Sequence, residues 1–440
     1  MASQPSRLDF TGSHGASRTW PAIVALSLLG FGVNASIGVK LDRLGAFNDY
    51  NVVFTSDTPL YVSLLAQGAY YSRRHPLIHV LCYPPVWAGA KILTSLTGRS
   101  EPVLRRSLLL LLVPLLQGLK TPLLMLCLGR LGIPFWFRAI IALIDIASSG
   151  RLVFGSILDS YGVFAPACTL GFCLAAGSAA TPSDVPRSKW FACGAITAGA
   201  NITGVIPFFI VLLAALLPDC SDWKNALYRT SRIAAATAVV VLGLHLASGP
   251  LVSSIRPDLN SSIVRRPKPG AKSTTRAWFH FRPASVAQQI PFIVADTFVV
   301  GSRPLTQATH YDPRAYVRPR ARLKGITHRL YGPSLLLVSM VAAILCMGGY
   351  GLFRAGGIHR RLAVASFAIF LYYIGIFVFW GTANLFLYTL LWQSGFLVLL
   401  AGIWFLPVLA RRVGLALCVA LLGFEIVLNL QFLDFVFSVL

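Results

Sequence analysis

Along the chain, long apolar runs alternate with short basic or polar intervals. The runs fall at 20–39, 104–128, 133–150, 160–180, 190–217, 232–249, 333–353, 361–380, 383–407 and 413–433. A bilayer-spanning helix needs about 20 mostly apolar residues. The run 190–217 holds two short segments that divide near Gly199–Gly204, so about ten or eleven crossings are expected. The run 76–96 is ambiguous. It carries His79, Lys91 and the pair Pro84-Pro85, which would break a spanning helix, while Pro76 suits a helix's first turn. It reads as a helix in the membrane plane. The run 288–301, QQIPFIVADTFVVG, is too short to span and reads as a helix on or against the membrane.

Composition sharpens this picture. Hydrophobic residues make up 56% of the 440, and charged residues only 12%. Mean hydropathy is +0.70. These values exclude an ordinary soluble domain and fit an all-α polytopic membrane protein. The formal net charge of +23 would point to nucleic acid in a soluble chain. Here the basic residues sit mainly in loops, where they set topology and meet lipid headgroups, and no nucleic-acid partner is expected. The eight cysteines form no C-x-x-C pair and read as small hydrophobes. No internal repeat is visible, which removes the inverted-repeat signature of many transporters.

The chain divides into a disordered cytoplasmic tail (1–19), a transmembrane module (20–249), a large basic loop (250–331) and C-terminal transmembrane helices (332–440). With the N-terminus inside, 40–103 forms a first outer loop. The short inner loops then carry Arg130, Arg138, Arg187, Lys189, Lys224, Arg229, Arg232, Arg354, Arg360, Arg361, Arg411 and Arg412, as the positive-inside rule requires. Arg99, Arg105, Arg106 and the loop 250–331 run against it. Loops longer than about 60 residues are largely exempt from the rule.

Acids are scarce, so those beside the membrane stand out. Asp57, in TSDTPLYV, can cap a helix that starts at Thr58-Pro59. A helix N-terminus also keeps a carboxylate ionised, which suits a general base. Asp49 reads as a turn residue or a supporting acid, and Asp42, beside Lys40 and Arg43, as interfacial. Arg73, Arg74 and His75 precede a helix and can anchor it or bind a lipid phosphate. Asp159-Ser160-Tyr161 can cap the helix that follows, on the same outer face as Asp57. Asn201 lies at a break between short helices, where polar groups line cavities or satisfy broken backbone. Asp145 and Glu425 are intramembrane acids, which are costly and therefore functional candidates. Asp145 is expected near the outer site, Glu425 in a pair with a polar neighbour. No P-loop, H-E-x-x-H or G-x-S-x-G triad context occurs.

The layout resembles the GT-C superfamily of integral-membrane glycosyltransferases. The residues that carry the resemblance are F-T-S-D-T-P with Asp57, R-R-H-P-L with His75-Pro76-Leu77, G-S-I-L-D-S-Y with Asp159 and Tyr161, and A-N-I-T-G with Asn201. The loop 250–331 stands where the family has its large outer loop. Many members place two adjacent acids in the first loop, whereas the acids here are single and separated. The resemblance implies a GT-C-like bundle with membrane-plane helices in the first outer loop. It implies a sugar donor on a polyprenyl phosphate and a glycan, lipid or protein acceptor, with transfer on the extracytoplasmic side of a plasma or inner membrane. Asp57 and Asp159 would be catalytic. Asp49, Tyr161 and Asn201 would support them, and Arg73, Arg74 and His75 would hold the donor phosphate. No cofactor follows from the residues. The resemblance admits a divalent metal but identifies no ligands for it. The competing readings are a transporter or flippase for an anionic lipid-linked solute, and a non-catalytic scaffold.

Overall fold

The computed structural model describes residues 13–48, 52–54, 62, 65, 75–178, 186–217, 223–255, 283–300, 304–308, 321–326, 332–380 and 385–440. The fold is a helical bundle. In chain order its helices are α1 (Ser13–Arg43), α2 (Ile78–Thr97), α3 (Glu101–Arg130), α4 (Phe135–Ala147), α5 (Ser149–Phe154), α6 (Ser160–Ser178) and α7 (Arg187–Ala200). There follow α8 (Val205–Leu216), α9 (Trp223–Ile255), α10 (Pro283–Asp296), α11 (Gly332–Ala355), α12 (Gly357–Trp380), α13 (Leu390–Ala401) and α14 (Val408–Val439). One antiparallel hairpin, β1 (Pro304–Ala308) and β2 (Ala321–Ile326), lies between α10 and α11.

Among the described residues, 7 helices are long and apolar enough to cross a membrane: those starting at Thr19, Glu101, Ser160, Trp223, Ser334, Gly357 and Val408. Their outward faces carry large apolar side chains, such as Leu28 on α1, Leu119 on α3, Leu242 on α9, Leu371 on α12 and Leu430 on α14. Exposed apolar surface on this scale, on helices of spanning length, fits contact with lipid. The other apolar runs are interrupted. The 13 residues of α4 rise only about 20 Å, and 383–407 is broken by 3-10 turns at Phe386–Tyr388 and Gly402–Phe405. Helix α1 starts at Ser13, inside the segment expected to be a disordered tail.

Contacts fix the relative directions. Arg106 on α3 pairs with Asp42 at the end of α1 at 2.7 Å, and a Cβ on Gly118 would touch Phe31, so α1 and α3 run antiparallel. Segment 44–100 therefore leaves and rejoins the bundle at one end, here termed the loop end. Helix α2 packs along α3, where a Cβ on Gly89 would meet Leu108. Its Pro84 and Pro85 lie within one continuous helix. That helix starts at Ile78, two residues after Pro76.

Helix α6 runs parallel to α3. Gln117 donates to the Gly162 carbonyl at 2.8 Å, and Arg130 donates to that of Cys173 at 2.7 Å. The chain must return to the loop end between them, and it does so through α4 and α5. These are one broken climb with Ser148 at the break. Broken backbone at this depth needs partners from elsewhere in the protein. The Ser149 N–H donates to the Phe298 carbonyl at 3.0 Å, and the Asn429 side-chain amide donates to the carbonyls of Ala147 and Phe298 at 2.8 and 2.7 Å. Residues 296–300 are thus buried inside the bundle. The stretch 288–301 was expected to lie on or against the membrane. Its C-terminal end instead supplies the hydrogen bonds that the α4–α5 break lacks.

Candidate functional site

The residues before Asp57 enter the bundle at the loop end. The Leu323 N–H donates to the Val52 carbonyl at 2.7 Å, tying the first loop to β2 of the large loop. Phe54 is fully buried. Its ring meets Phe386 at 5.0 Å, Phe432 at 5.9 Å and Phe154 at 6.2 Å. Its φ of 48° lies in the left-handed region, which is uncommon for a bulky residue and persists only where packing over-determines it. Ile157 and Tyr161, on either side of Asp159, pack in the same cluster as Phe54. Val62, five residues beyond Asp57, shares another cluster with Leu158 and Val163. Described residues on both sides of Asp57 thus share hydrophobic clusters with residues on both sides of Asp159. Asp57 itself, Asp49, Arg73 and Arg74 lie outside the described residues.

Asp159 is buried at the start of α6. Its carboxylate accepts from the Ser160 hydroxyl at 3.2 Å and from the Tyr161 N–H at 3.5 Å, the N-cap geometry expected from Asp-Ser-Tyr. Gly162 packs on Val113, seven residues along α3 from Arg106. That sets Gly162, at the inner side of the Asp159 turn, about 10 Å below Arg106 at 1.5 Å per residue. Tyr161 stands edge-on to Tyr388 at 5.2 Å, and Tyr388 packs on Phe377 at 4.3 Å. The 3-10 turn Phe386–Tyr388 thereby contributes an aromatic wall beside the Asp159 turn.

The His75-Pro76-Leu77 element docks on the C-terminus of α7. The His75 ring donates to the Ala200 carbonyl at 3.0 Å, and the Leu77 N–H donates to that of Gly199 at 2.9 Å. Both carbonyls would otherwise be orphans of a helix end. His245 donates to the Pro76 carbonyl at 3.2 Å. Asn201 satisfies the break between α7 and α8, its side-chain oxygen accepting from the Thr203 N–H at 3.1 Å and hydroxyl at 2.9 Å. The Tyr372 hydroxyl donates to the Thr203 carbonyl at 3.2 Å. A Cβ on Gly204 would touch Phe164 of α6, so this break lies one turn along from the Asp159 turn.

Asp145 takes no part in that site. It is fully buried and held by Lys120 at 2.6 Å and by Arg151. Lys120 also donates to the Gln393 side chain at 3.1 Å. Arg151 donates to Thr121 Oγ1 at 3.2 Å, to the Gln117 carbonyl at 2.8 Å and to Asn34 Oδ1 at 3.3 Å. Lys120 lies 14 residues along α3 from Arg106, about 21 Å deeper. Asp145 was expected at the outer end of its helix, near Asp159. The break at Ser148 leaves it mid-bundle instead, neutralised by cations from α3 and α5.

Glu425 was expected to pair with a polar neighbour. It is fully buried, and neither carboxylate oxygen has a hydrogen-bond partner. One turn on, Asn429 points the same way but is committed to the α4–α5 break.

Lys120, Arg151, Asn34, Gln117, Gln393 and Asn429 went unread as a group. Each is a polar residue within or beside an apolar run, and that placement was the available signal. Among the described residues, no three His, Cys, Asp or Glu side chains gather as a metal would require. Neither the family models nor the curated proteins compared with this chain give a match.

Proposed function

We propose that the protein is a membrane glycosyltransferase that moves a sugar from a polyprenyl-phosphate donor to an acceptor hydroxyl at the loop end, on the extracytoplasmic face. The observation that carries this reading is the hydrophobic cluster shared by Phe54, Phe154, Ile157 and Tyr161, with Phe54 directly against Phe154, which joins the first loop to the segment that carries Asp159. In this reading Asp57 accepts the acceptor's hydroxyl proton as its oxygen attacks the anomeric carbon. The bond from that carbon to the phosphate oxygen breaks, and the phosphate leaves with the electron pair. Arg73, Arg74 and His75 stabilise the leaving charge. A single displacement of this kind inverts the anomeric centre. Asp159 and Tyr161 shape the sugar site, with Asp49 and Asn201 in support, and the burial of Asp159 helps to keep out water that would hydrolyse the donor.

The test is transfer from a purified lipid-linked donor to an acceptor. Asp57→Asn should lower turnover by about 100-fold or more, while Asp49→Asn should retain most of it. Unchanged transfer by Asp57→Asn would refute the base assignment.

One observation favours a second reading, a transporter for an anionic lipid-linked solute. It is the buried Glu425 with no hydrogen-bond partner, a feature common on proton or ion paths. Asp145, locked between Lys120 and Arg151, does not serve that role. Solute flux into vesicles without any glycosidic product would favour the transporter.

A further inference from the structure

An open groove of about 630 Å³ runs along the outside of the bundle between α1 and α14. Its walls are apolar through most of their length, with Leu28, Leu29, Val33, Leu430 and Leu433 among them, and Gly32 leaves the α1 side open. Both helices are long and apolar enough to span a membrane, so the body of the groove faces hydrocarbon.

One end differs. There the groove is lined by Lys40 and Asp434, both exposed. The Lys40 ammonium sits over the Phe437 ring, 3.9 Å from its centroid, and Phe437 lies one turn from Asp434 on α14. The two opposite charges therefore stand within about a turn of each other, yet no salt bridge joins them among the described residues.

We propose that this groove is a binding site for an aminophospholipid of the surrounding bilayer, with a zwitterionic phosphoethanolamine headgroup. One acyl chain lies along Leu28, Val33 and Leu430. The headgroup phosphate meets Lys40, and its primary ammonium donates to Asp434. Charge complementarity selects this occupant. A purely anionic headgroup would place charge beside Asp434 with nothing to offset it. A choline headgroup carries the cation but no N–H to donate. The site is separate from the Asp159 turn, and the inference stands without the proposed transferase activity.

The test is native mass spectrometry of the detergent-purified full chain, with phosphatidylethanolamine, phosphatidylcholine and phosphatidylglycerol of matched acyl chains. The expected result is retention of phosphatidylethanolamine about fivefold above either competitor, the scale of one exposed charge pair. Asp434→Asn should erase the advantage over phosphatidylglycerol. Lys40→Gln should weaken retention of phosphatidylethanolamine and phosphatidylglycerol. Gly32→Leu fills the groove where a Cβ meets no atom within 4 Å, so it should leave the fold intact and abolish retention. Equal retention of the three lipids, preference for phosphatidylglycerol, or retention unchanged in Gly32→Leu would each overturn the proposal. A variant whose elution profile shows misfolding is replaced by Ser36→Leu, on the same wall of the groove.

Discussion

At the scale of single residues, the buried charges are the most exacting feature. Two cations, Lys120 and Arg151, share the one carboxylate of Asp145 in a fully buried site. Removing one partner of such a group leaves charge that nothing compensates, a loss of about 3–5 kcal/mol. Asp145→Asn strands both cations and should lower the unfolding temperature in detergent more than Lys120→Met, which leaves Asp145 paired with Arg151. The reverse order in a thermal-unfolding series would mean that Lys120 is the residue holding the cluster together. His79 offers a pH test. Its Nε2 has no hydrogen-bond partner, and burial, then the neighbouring His245, lowers its pKa from 6.5 to about 4. The folded protein therefore keeps the ring neutral where the unfolded chain takes up a proton. Its contribution to stability is complete above pH 6.5, falls as the pH drops towards about 4, and levels off below. Unfolding measured across that window should show His79→Phe with a flatter pH dependence than wild type.

At the scale of elements, two devices let short or broken helices pack. The first is the α4–α5 break, where Asn429 and residues 296–298 satisfy the backbone that Ser148 interrupts. Asn429→Leu keeps the approximate volume but strands the carbonyl of Ala147 and the N–H of Val300, and leaves the Phe298 carbonyl with the Ser149 N–H alone. Each unsatisfied buried group costs about 1–3 kcal/mol. Hydrogen exchange should show α5 and 296–300 loosening while α11 and α12 stay protected; uniform loosening would contradict a local role. The second device is the close crossing of α11 with the 3-10 turn that follows α13. A Cβ on Gly348 would collide with the Leu399 carbonyl, and one on Gly402 with the carbonyl of Gly348. Small residues allow such backbone contact between membrane helices. Gly348→Ala should destabilise by about 1–3 kcal/mol, whereas Gly375→Ala, where a Cβ meets no atom within 4 Å, should be nearly neutral.

At the scale of the whole molecule, the contacts sort the loops by end. Arg106 and Asp42 meet at the loop end. At the opposite end the His359 ring donates to the Leu131 carbonyl at 3.1 Å, and Trp136 meets Trp404 at 5.8 Å, with Arg411 over the Trp404 ring. The junctions bearing Arg130, Arg360 and Arg411 therefore gather at one end, the grouping that the positive-inside rule assigns to the inner face. Single cysteines at the exposed positions Arg99 and Ala355 provide the test. The first should label with an impermeant reagent from outside intact cells, and the second only after permeabilisation. The opposite pattern would invert the proposed topology and move the candidate site to the inner face.

The sequence by itself determined the class of protein, the long spanning helices, the break at Asn201 and the cap at Asp159. These follow from local causes, namely the length of an apolar run and the chemistry of the residues at its end. The fates of Asp145, Glu425 and 288–301 were decided only by tertiary structure. An intramembrane acid looks the same in sequence whether it faces a cavity, a partner or nothing. Asp145 is a salt-bridge partner because α3 and α5 bring Lys120 and Arg151 to it from 25 and 6 residues away. Glu425 is left without a hydrogen-bond partner, while the amide one turn on, Asn429, is taken by the α4–α5 break. Residues 296–300 enter the bundle, where the carbonyls of Thr297 and Phe298 satisfy N–H groups left exposed by a helix broken elsewhere in the chain. Apolar length is a local property, whereas the pairing of buried polar groups depends on which helices meet.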